Sequence, residues 1–226
     1  MAFSVYIKLS EKLYLRDPEQ SELGRNIIGK GIAMIEKLGF EEFTFKKLAK
    51  EINSTEASIY RYFENKHKLL VYLISWYYAW IDFQINFQTN NIDDHEKKIR
   101  IMLKIIAESS KEDPNIAHID ESLLHKIVVA ESAKAYLTKQ VDHENKEGYF
   151  SNYEGLCKKV ASIIEDASPD YQYSNSLAST IIETAHEQMF FSRHLPSITD
   201  IKTEKNEVNG LSTFLEHLVF SVLRKN

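Results

Sequence analysis

Residues 44–70 read TFKKLAKEINSTEASIYRYFENKHKLL. The pattern predicts two short helices, a tight turn between them and the start of a long third helix. Thr44 is placed to cap the first, which carries Phe45, Leu48, Ala49 and Ile52 on one apolar face. Asn53 falls where the turn needs a left-handed backbone, a conformation glycine adopts most cheaply and asparagine tolerates. Thr55 can cap the second helix, whose inner face is Ile59 and Phe63, and the pattern extends that helix from about Glu56 to Phe63. Glu56, Ala57, Ser58, Tyr60, Arg61 and Tyr62 are then left partly or wholly outward. Asn65 caps the next helix and puts Lys66 in its first turn, where backbone N–H groups attract anions.

Two short helices joined by a three- to four-residue turn are the helix-turn-helix pattern, whose second helix enters the major groove of DNA. LAKEINSTEASIYRYFENKHKLL resembles the signature of the TetR/AcrR transcriptional regulators. In that signature a turn glycine stands where this chain has Asn53, followed by a small polar cap, T-[LI]-Y-x-[HY]-F and a lysine three residues on. Ser58, Ile59, Tyr60, Tyr62, Phe63 and Lys66 fit it, and GFEEFTFKKLA fits the preceding helix entry. The specific likeness covers about residues 22–72. Glu56 and Ala57 depart from it, standing where lysine or a polar residue and where glycine or proline are commoner. The resemblance implies a homodimer that binds double-stranded DNA at a roughly palindromic operator, usually to repress, and answers to a small-molecule effector. It implies that Ser58, Tyr60, Tyr62 and Lys66 mainly hold phosphates, and Thr44 and Thr55, which cap the two helices, are counted with them as DNA-binding candidates. Arg61 is the best direct reader, because its fork matches O6 and N7 of guanine. Glu56 either accepts from cytosine N4, orients a neighbouring cation, or simply favours the helix N-terminus through the macrodipole.

Composition is compatible with this. With 226 residues, 43% hydrophobic and 27% charged, the chain can bury a sizeable core. Only 7 Gly and 4 Pro are present, which points to long helices and short connections. A single cysteine, Cys157, excludes an intramolecular disulfide and suits a reducing compartment. No run of about 18 apolar residues indicates a membrane span, and Lys8, Glu11 and Lys12 interrupt any signal-peptide core, so a cytoplasmic location is expected. Net charge is −5, but unevenly placed. Residues 1–70 hold 12 Lys+Arg against 10 Asp+Glu, a net of +2, and the remainder holds 16 against 23, a net of −7.

Outside the quoted stretch, residues 1–16 alternate like a strand at Phe3, Val5, Ile7 and Leu9, while Lys8, Lys12 and Arg16 take helical spacing. A packed arm is the preferred reading, a basic arm on DNA the sharper one. Asp17, Pro18 and Gln20 form a capping-box start for a first helix ending at Gly39, with Leu23, Ile27, Met34 and Leu38 inside. The fourth helix, about 66–87, is apolar on two faces. Further helices are expected near 94–110, 120–140, 149–166, 174–193 and 207–224, with VDHENKEG a polar separator.

No phosphate-binding, nucleophile-elbow or zinc-protease motif occurs, and nothing pairs a nucleophile with a base, so no enzyme, cofactor or metal is expected. His118, Glu121 and His125, like Glu183, His186 and Glu187, have metal-compatible spacing but read better as ordinary helix side chains. Trp76, Trp80, Phe83, Tyr149 and Tyr153 serve equally as core or as lining of a ligand cavity. Val208, Leu211, Leu215, Leu218 and Val222 are spaced 3, 4, 3, 4, a coiled-coil-like seam, and Leu177 and Ile181 add apolar surface on the preceding helix; together they predict a four-helix dimer contact. The reading is an all-α chain with a three-helix helix-turn-helix head at 1–64 and a helical ligand-binding and dimerisation body at 65–226. Its rival is a helical ligand-binding or protein-interaction dimer that has lost DNA reading.

Overall fold

The computed structural model describes residue 7 and residues 9–109, 118–204 and 207–224. Phe3, Val5 and Lys8, on which part of the reading of the N-terminal arm rests, lie outside the described residues. The arm's described portion is packed: Leu9 and Leu13 are buried, and Ser10 caps a single 3-10 turn at Glu11–Leu13.

The first helix does not start at Asp17. Asp17 caps only a 3-10 turn, Pro18–Gln20, and the extended backbone of Ser21 then resets the chain. Ser21 Oγ accepts from Gly24 N–H at 3.0 Å and opens α1, Glu22–Leu38. Gly39 closes it at φ 78°, with its N–H on the Ile35 carbonyl at 2.8 Å. The buried face of α1 also differs from the expected stripe. Ile27, Ile28, Ile32 and Ile35 are buried, Leu23 and Met34 only half-buried, and Leu38 is exposed. The cause is glycine. Gly24 and Gly31 lie on the buried face and emit no hydrophobic signal, yet they let neighbouring segments approach. A Cβ on Gly24 would stand 2.2 Å from the Pro18 carbonyl oxygen.

The next elements are α2 (Phe45–Glu51), α3 (Glu56–Tyr60), α4 (Lys66–Thr89), α5 (His95–Ala107), α6 (Glu121–Glu131), α7 (Ala133–Tyr136), α8 (Val141–Lys146), α9 (Ser151–Ala167) and α10 (Ser174–His194). A two-stranded antiparallel hairpin, β1 (Lys202–Glu204) and β2 (Glu207–Asn209), pairs Thr203 with Val208 and precedes α11 (Leu211–Leu223). The fold is all-α apart from this hairpin. Two expectations are corrected. VDHENKEG is not a plain separator but contains α8, which lacks an apolar stripe and is anchored by Glu144 to the His67 imidazole at 3.0 Å. The last helix begins at Leu211 rather than 207, because Gly210 turns the chain at φ 89° after the hairpin.

The described residues form two compact units. One comprises residues 1–79 and 110–152. Its core is built on Ile27, Ile28, Ile32, Phe43, Leu48, Ile59 and Phe63, and α6 packs along α1. The other comprises residues 80–109 and 153–226. There α11 packs on α5 and α10, around Ile99, Leu103, Ile181, Leu211, Leu215 and Val219. The division falls inside α4, between Ala79 and Trp80.

Two stability outcomes are expected from this packing. Gly24→Ala gains helix propensity but drives a methyl into backbone, so it should destabilise by about 1–3 kcal/mol in urea unfolding. His186, on α10, is buried, and burial pushes its imidazole down to about 4. The unfolded chain then binds the extra proton between its ordinary value of about 6.5 and about 4. Stability contributed by this site is therefore intact above about pH 6.5 and is lost as pH falls towards about 4, by roughly 3 kcal/mol at most. The melting temperature of His186→Gln should fall less steeply than the parent's over that window.

Candidate nucleic-acid interface

Local chemistry builds the helix-turn-helix from the residues that the sequence singles out. Thr44 Oγ1 accepts from Lys47 N–H at 3.2 Å and starts α2. Asn53 takes φ 49°, the one non-glycine left-handed residue among those described, and turns the chain between the helices. Thr55 Oγ1 accepts from Ser58 N–H at 3.2 Å and starts α3. Asn65 Oδ1 accepts from Lys68 N–H at 2.9 Å at the head of α4. Each cap satisfies a donor that would otherwise be orphaned at a helix start.

The candidate reading residues are only partly brought to the surface. Thr44, Thr55, Glu56, Ala57 and Arg61 are exposed, and Ser58 is half-buried with its hydroxyl 2.8 Å from Thr55 Oγ1. Tyr60 is 46% exposed, with its ring edge-on to Phe45 at 5.1 Å, so its hydroxyl end is displayed from a fixed base.

Tyr62 is a correction. It is only 2% exposed, and its hydroxyl shares a hydrogen bond of 2.8 Å with Ser21 Oγ. The outward placement rested on continuing the helical spacing to Phe63, but α3 ends at Tyr60, and past that point the periodicity no longer governs. The Tyr62 carbonyl accepts from Leu15 N–H at 2.8 Å, and the Arg16 guanidinium lies 5.4 Å from the ring centre. The residue fastens the N-terminal arm.

Lys66 is a second correction. Its ammonium donates to the carbonyls of Phe40 and Glu41, both at 2.9 Å, and of Phe43 at 3.2 Å, beside the Phe40 ring. An ammonium has three protons, and all three are used. A phosphate reaching Lys66 would have to displace one of those carbonyls.

Sequence reasoning passed over other cations. Lys46, Lys47 and Lys50 are exposed on α2. Lys47 is engaged by the Glu42 carbonyl at 2.6 Å and its carboxylate at 3.3 Å. The signal was present in the quoted stretch as KKLAK, where Leu48 and Ala49 serve the core and the lysines serve none of it.

The candidate ligand residues are divided between the two units. Trp76 and Tyr149 belong to the unit holding the helix-turn-helix, and Trp80, Phe83 and Tyr153 to the other. Trp76 and Trp80 are buried; Phe83 is 38% exposed and stacks between Trp80 and Phe87. Tyr153 donates to Glu183 Oε1 at 2.5 Å, and burial first of all pushes the neighbouring Cys157 thiol up to about 11.

The candidate dimer seam is corrected at five residues. Val208 lies in β2, not on α11. Leu177, Ile181, and Leu211 with Leu215 are buried within this chain, the last two against α5 and α10. Leu218 and Val222 remain half-exposed, beside exposed Phe214. They border an open hollow of about 700 Å³ with His217, Ser221 and Tyr173.

His118 bonds Glu19 at 2.8 Å, and His125 Nδ1 lies 2.9 Å from Tyr77 OH. Among the described residues, no group of three or more His, Cys, Asp or Glu side chains is arranged to hold a metal. No described helix is long and apolar enough to cross a membrane.

Comparison with known proteins agrees with this geometry. Residues 27–73 match the family model of bacterial regulatory proteins, tetR family. Nucleoid occlusion factor SlmA of Mannheimia succiniciproducens is 29% identical over 85 residues, which are 36% of this chain and 38% of that protein. Among solved structures, the fatty acid degradation regulator FadR from Bacillus halodurans is similar with a TM-score of 0.61 and 16% identity, over 96% of both chains. AibR in complex with isovaleryl coenzyme A and operator DNA is similar with a TM-score of 0.60 and 13% identity, over 87% of this chain and 98% of that one. At those identities the structures speak for the fold, and the sequence match speaks for the helix-turn-helix segment. The helix-turn-helix segment, residues 27–73, is thus similar to that of the tetR family of bacterial regulatory proteins, and the whole chain shares its fold with the regulators named above.

Proposed function

We propose that this chain is a ligand-responsive repressor that acts as a homodimer on a near-palindromic operator in cytoplasmic DNA. The observation that carries the DNA part is the exposed surface of α3: Glu56, Ala57, Tyr60 and Arg61 stand out on a capped helix whose inner face, Ile59, is buried. Arg61 is the direct reader, and Lys46 and Lys50 supply phosphate contacts that set register. Tyr62 and Lys66 act from behind as positioning residues. A head at 1–64 and a regulatory body from 65 onward describe this division of labour.

The second copy sits on the surface that α10 and α11 leave open. Phe214, Leu218 and Val222 offer apolar surface there that this chain does not cover fully. The structures of similar fold support an effector, since AibR was captured with isovaleryl coenzyme A as well as operator DNA.

Mobility shift with DNA from upstream of the gene tests the reading. Salt-sensitive, sequence-selective binding is expected; none across many candidate sites would leave the chain as an interaction protein that no longer reads DNA. Arg61→Ala should cost about 1–3 kcal/mol and relax preference at one base pair. Lys50→Ala should weaken all sequences alike and flatten the salt dependence by about one unit of slope. Glu56→Gln separates its two roles: relaxed preference at one position marks a cytosine contact, and generally tighter binding marks a helix-terminus charge. For the dimer, Leu218→Glu should halve the mass seen by light scattering while leaving the helical circular dichroism signal intact. Leu215→Ala should instead cost about 2–5 kcal/mol of stability, as a cavity in the chain's own core. A monomeric parent at micromolar concentration sinks the dimer.

A further inference from the structure

Lys68 is an unusual lysine. It sits in the first turn of α4 and is only 9% exposed. Lysine is almost never that buried without a partner for its charge. Among the described residues its ammonium has no hydrogen-bond acceptor and no ion pair; it rests on the Tyr149 ring, 3.2 Å from the centroid. Glu147 lies within electrostatic range, but Glu147 is spent on Lys12 at 2.9 Å, and that contact is the main reason its carboxyl is held below the usual range.

The same ammonium faces a pocket of about 570 Å³ between the start of α4 and the α7–α8 connection. Around it stand donors: Thr138, Lys139, Gln140, His67 and His143. Glu64 and Glu144 add negative charge to the lining. Glu144 is itself buried, 4% exposed, and is held by His67 Nε2 at 3.0 and 3.3 Å. Glu64 is exposed to solvent.

We propose that this pocket binds a small organic monocarboxylate, with its carboxylate on Lys68. Charge decides the class. Inside the pocket Glu144 already has His67, so Lys68 is the largely buried side chain whose charged end has no hydrogen-bonded or ion-paired partner among the described residues. A single negative charge completes it. A doubly charged phosphate would bring a second charge towards Glu144, with only the solvent-exposed Lys139 to meet it. Geometry agrees. The Tyr149 face holds the ammonium from one side by cation–π attraction and leaves its protons for an acceptor on the other. The Thr138 hydroxyl accepts from Gln140 N–H at 3.2 Å, and its own proton remains for a second carboxylate oxygen. The start of α4 adds favourable potential for an anion. The volume exceeds what an inorganic ion needs, which leaves space for an organic remainder beside a mostly polar wall.

The consequence for DNA rests on the function proposed above. Lys68 lies two residues from Lys66, whose ammonium holds the carbonyls at the entrance to α2. A ligand on the first turn of α4 therefore acts on the segment that positions the reading helix. Binding itself does not depend on that function and is tested separately.

The probes are sodium acetate, propionate, butyrate and pentanoate, each against its neutral amide, with chloride holding ionic strength constant. The carboxylates should raise the melting temperature saturably, as ligand linkage requires, and the amides should not. Amide resonances of Lys68, Thr138 and Tyr149 should shift along one binding curve. Lys68→Met should weaken the curve about tenfold or more. Thr138→Val leaves the buried cation in place, so it keeps the test open if Lys68→Met misfolds; it should weaken binding measurably. Equal effects of amides and carboxylates, or an unchanged curve in both variants, overturn the proposal. So does no saturable response to any carboxylate, or a tighter Lys68-dependent response to inorganic phosphate. A mobility shift in the presence of the best carboxylate then reads the coupling: loss of DNA binding with intact carboxylate binding in Arg61→Ala shows that the two activities fail independently.

Discussion

The Lys66 ammonium is the contact on which the head depends. A carbonyl withdrawn from water without a donor costs free energy, and the connection between α1 and α2 turns three carbonyls towards one point, those of Phe40 and Phe43, which are part-buried, and that of Glu41, which is exposed. One side chain from α4 satisfies all three. A donor of that connection, the Phe40 N–H, is taken from the other side by Glu131 of α6 at 3.0 Å. Lys134 closes the set, reaching Glu131 at 2.8 Å and Glu41 at 3.1 Å, and its ammonium pKa is raised first by the bond to Glu131. The backbone ahead of α2 is thus fixed by charges from α4, α6 and α7.

That arrangement changes what the signature lysine means. In the sequence it stands at the start of a helix, where an anion site is the ready interpretation. In the folded chain the cation on the first turn of α4 faces the partial negative charge of carbonyls in the connection between α1 and α2. The lysine is demanded by the backbone it must satisfy, and an arginine would not replace it, because a planar fork cannot point three protons at three converging oxygens. The same logic governs Tyr62, whose hydroxyl is claimed by Ser21 while its ring supports Arg16.

Sequence could be read where the physics is local. Thr44, Asn53, Thr55, Asn65 and Gly39 each act on backbone groups within a few residues, and their roles stand in the structure as the spacing implied. It could not be read where the partner is distant. The carbonyls that Lys66 holds are 23 to 26 residues away, and Glu144 is 77 residues from His67. The α1 face was misread because two glycines on it carry no hydropathy. The seam through Leu211 and Leu215 was misread because a 3, 4 spacing states that a face is buried and not against what. Here the partners are α5 and α10 of the same chain.

Lys68 is legible only when both kinds of information are joined. Locally it is an ordinary third residue of a helix, with its N–H on the Asn65 cap. Only the fold shows that its side chain is largely buried, that the Tyr149 ring lies against its ammonium, and that Glu147 and Glu144 answer to Lys12 and His67. The stem of Lys68 is buried while the ammonium keeps no acceptor among the described residues, and a chain that needed only a packed helix could place a leucine there, as it does at Leu69 and Leu70. A charge kept there, within one turn of the lysine that positions the reading head, is better placed to sense an incoming anion than to hold the resting fold together.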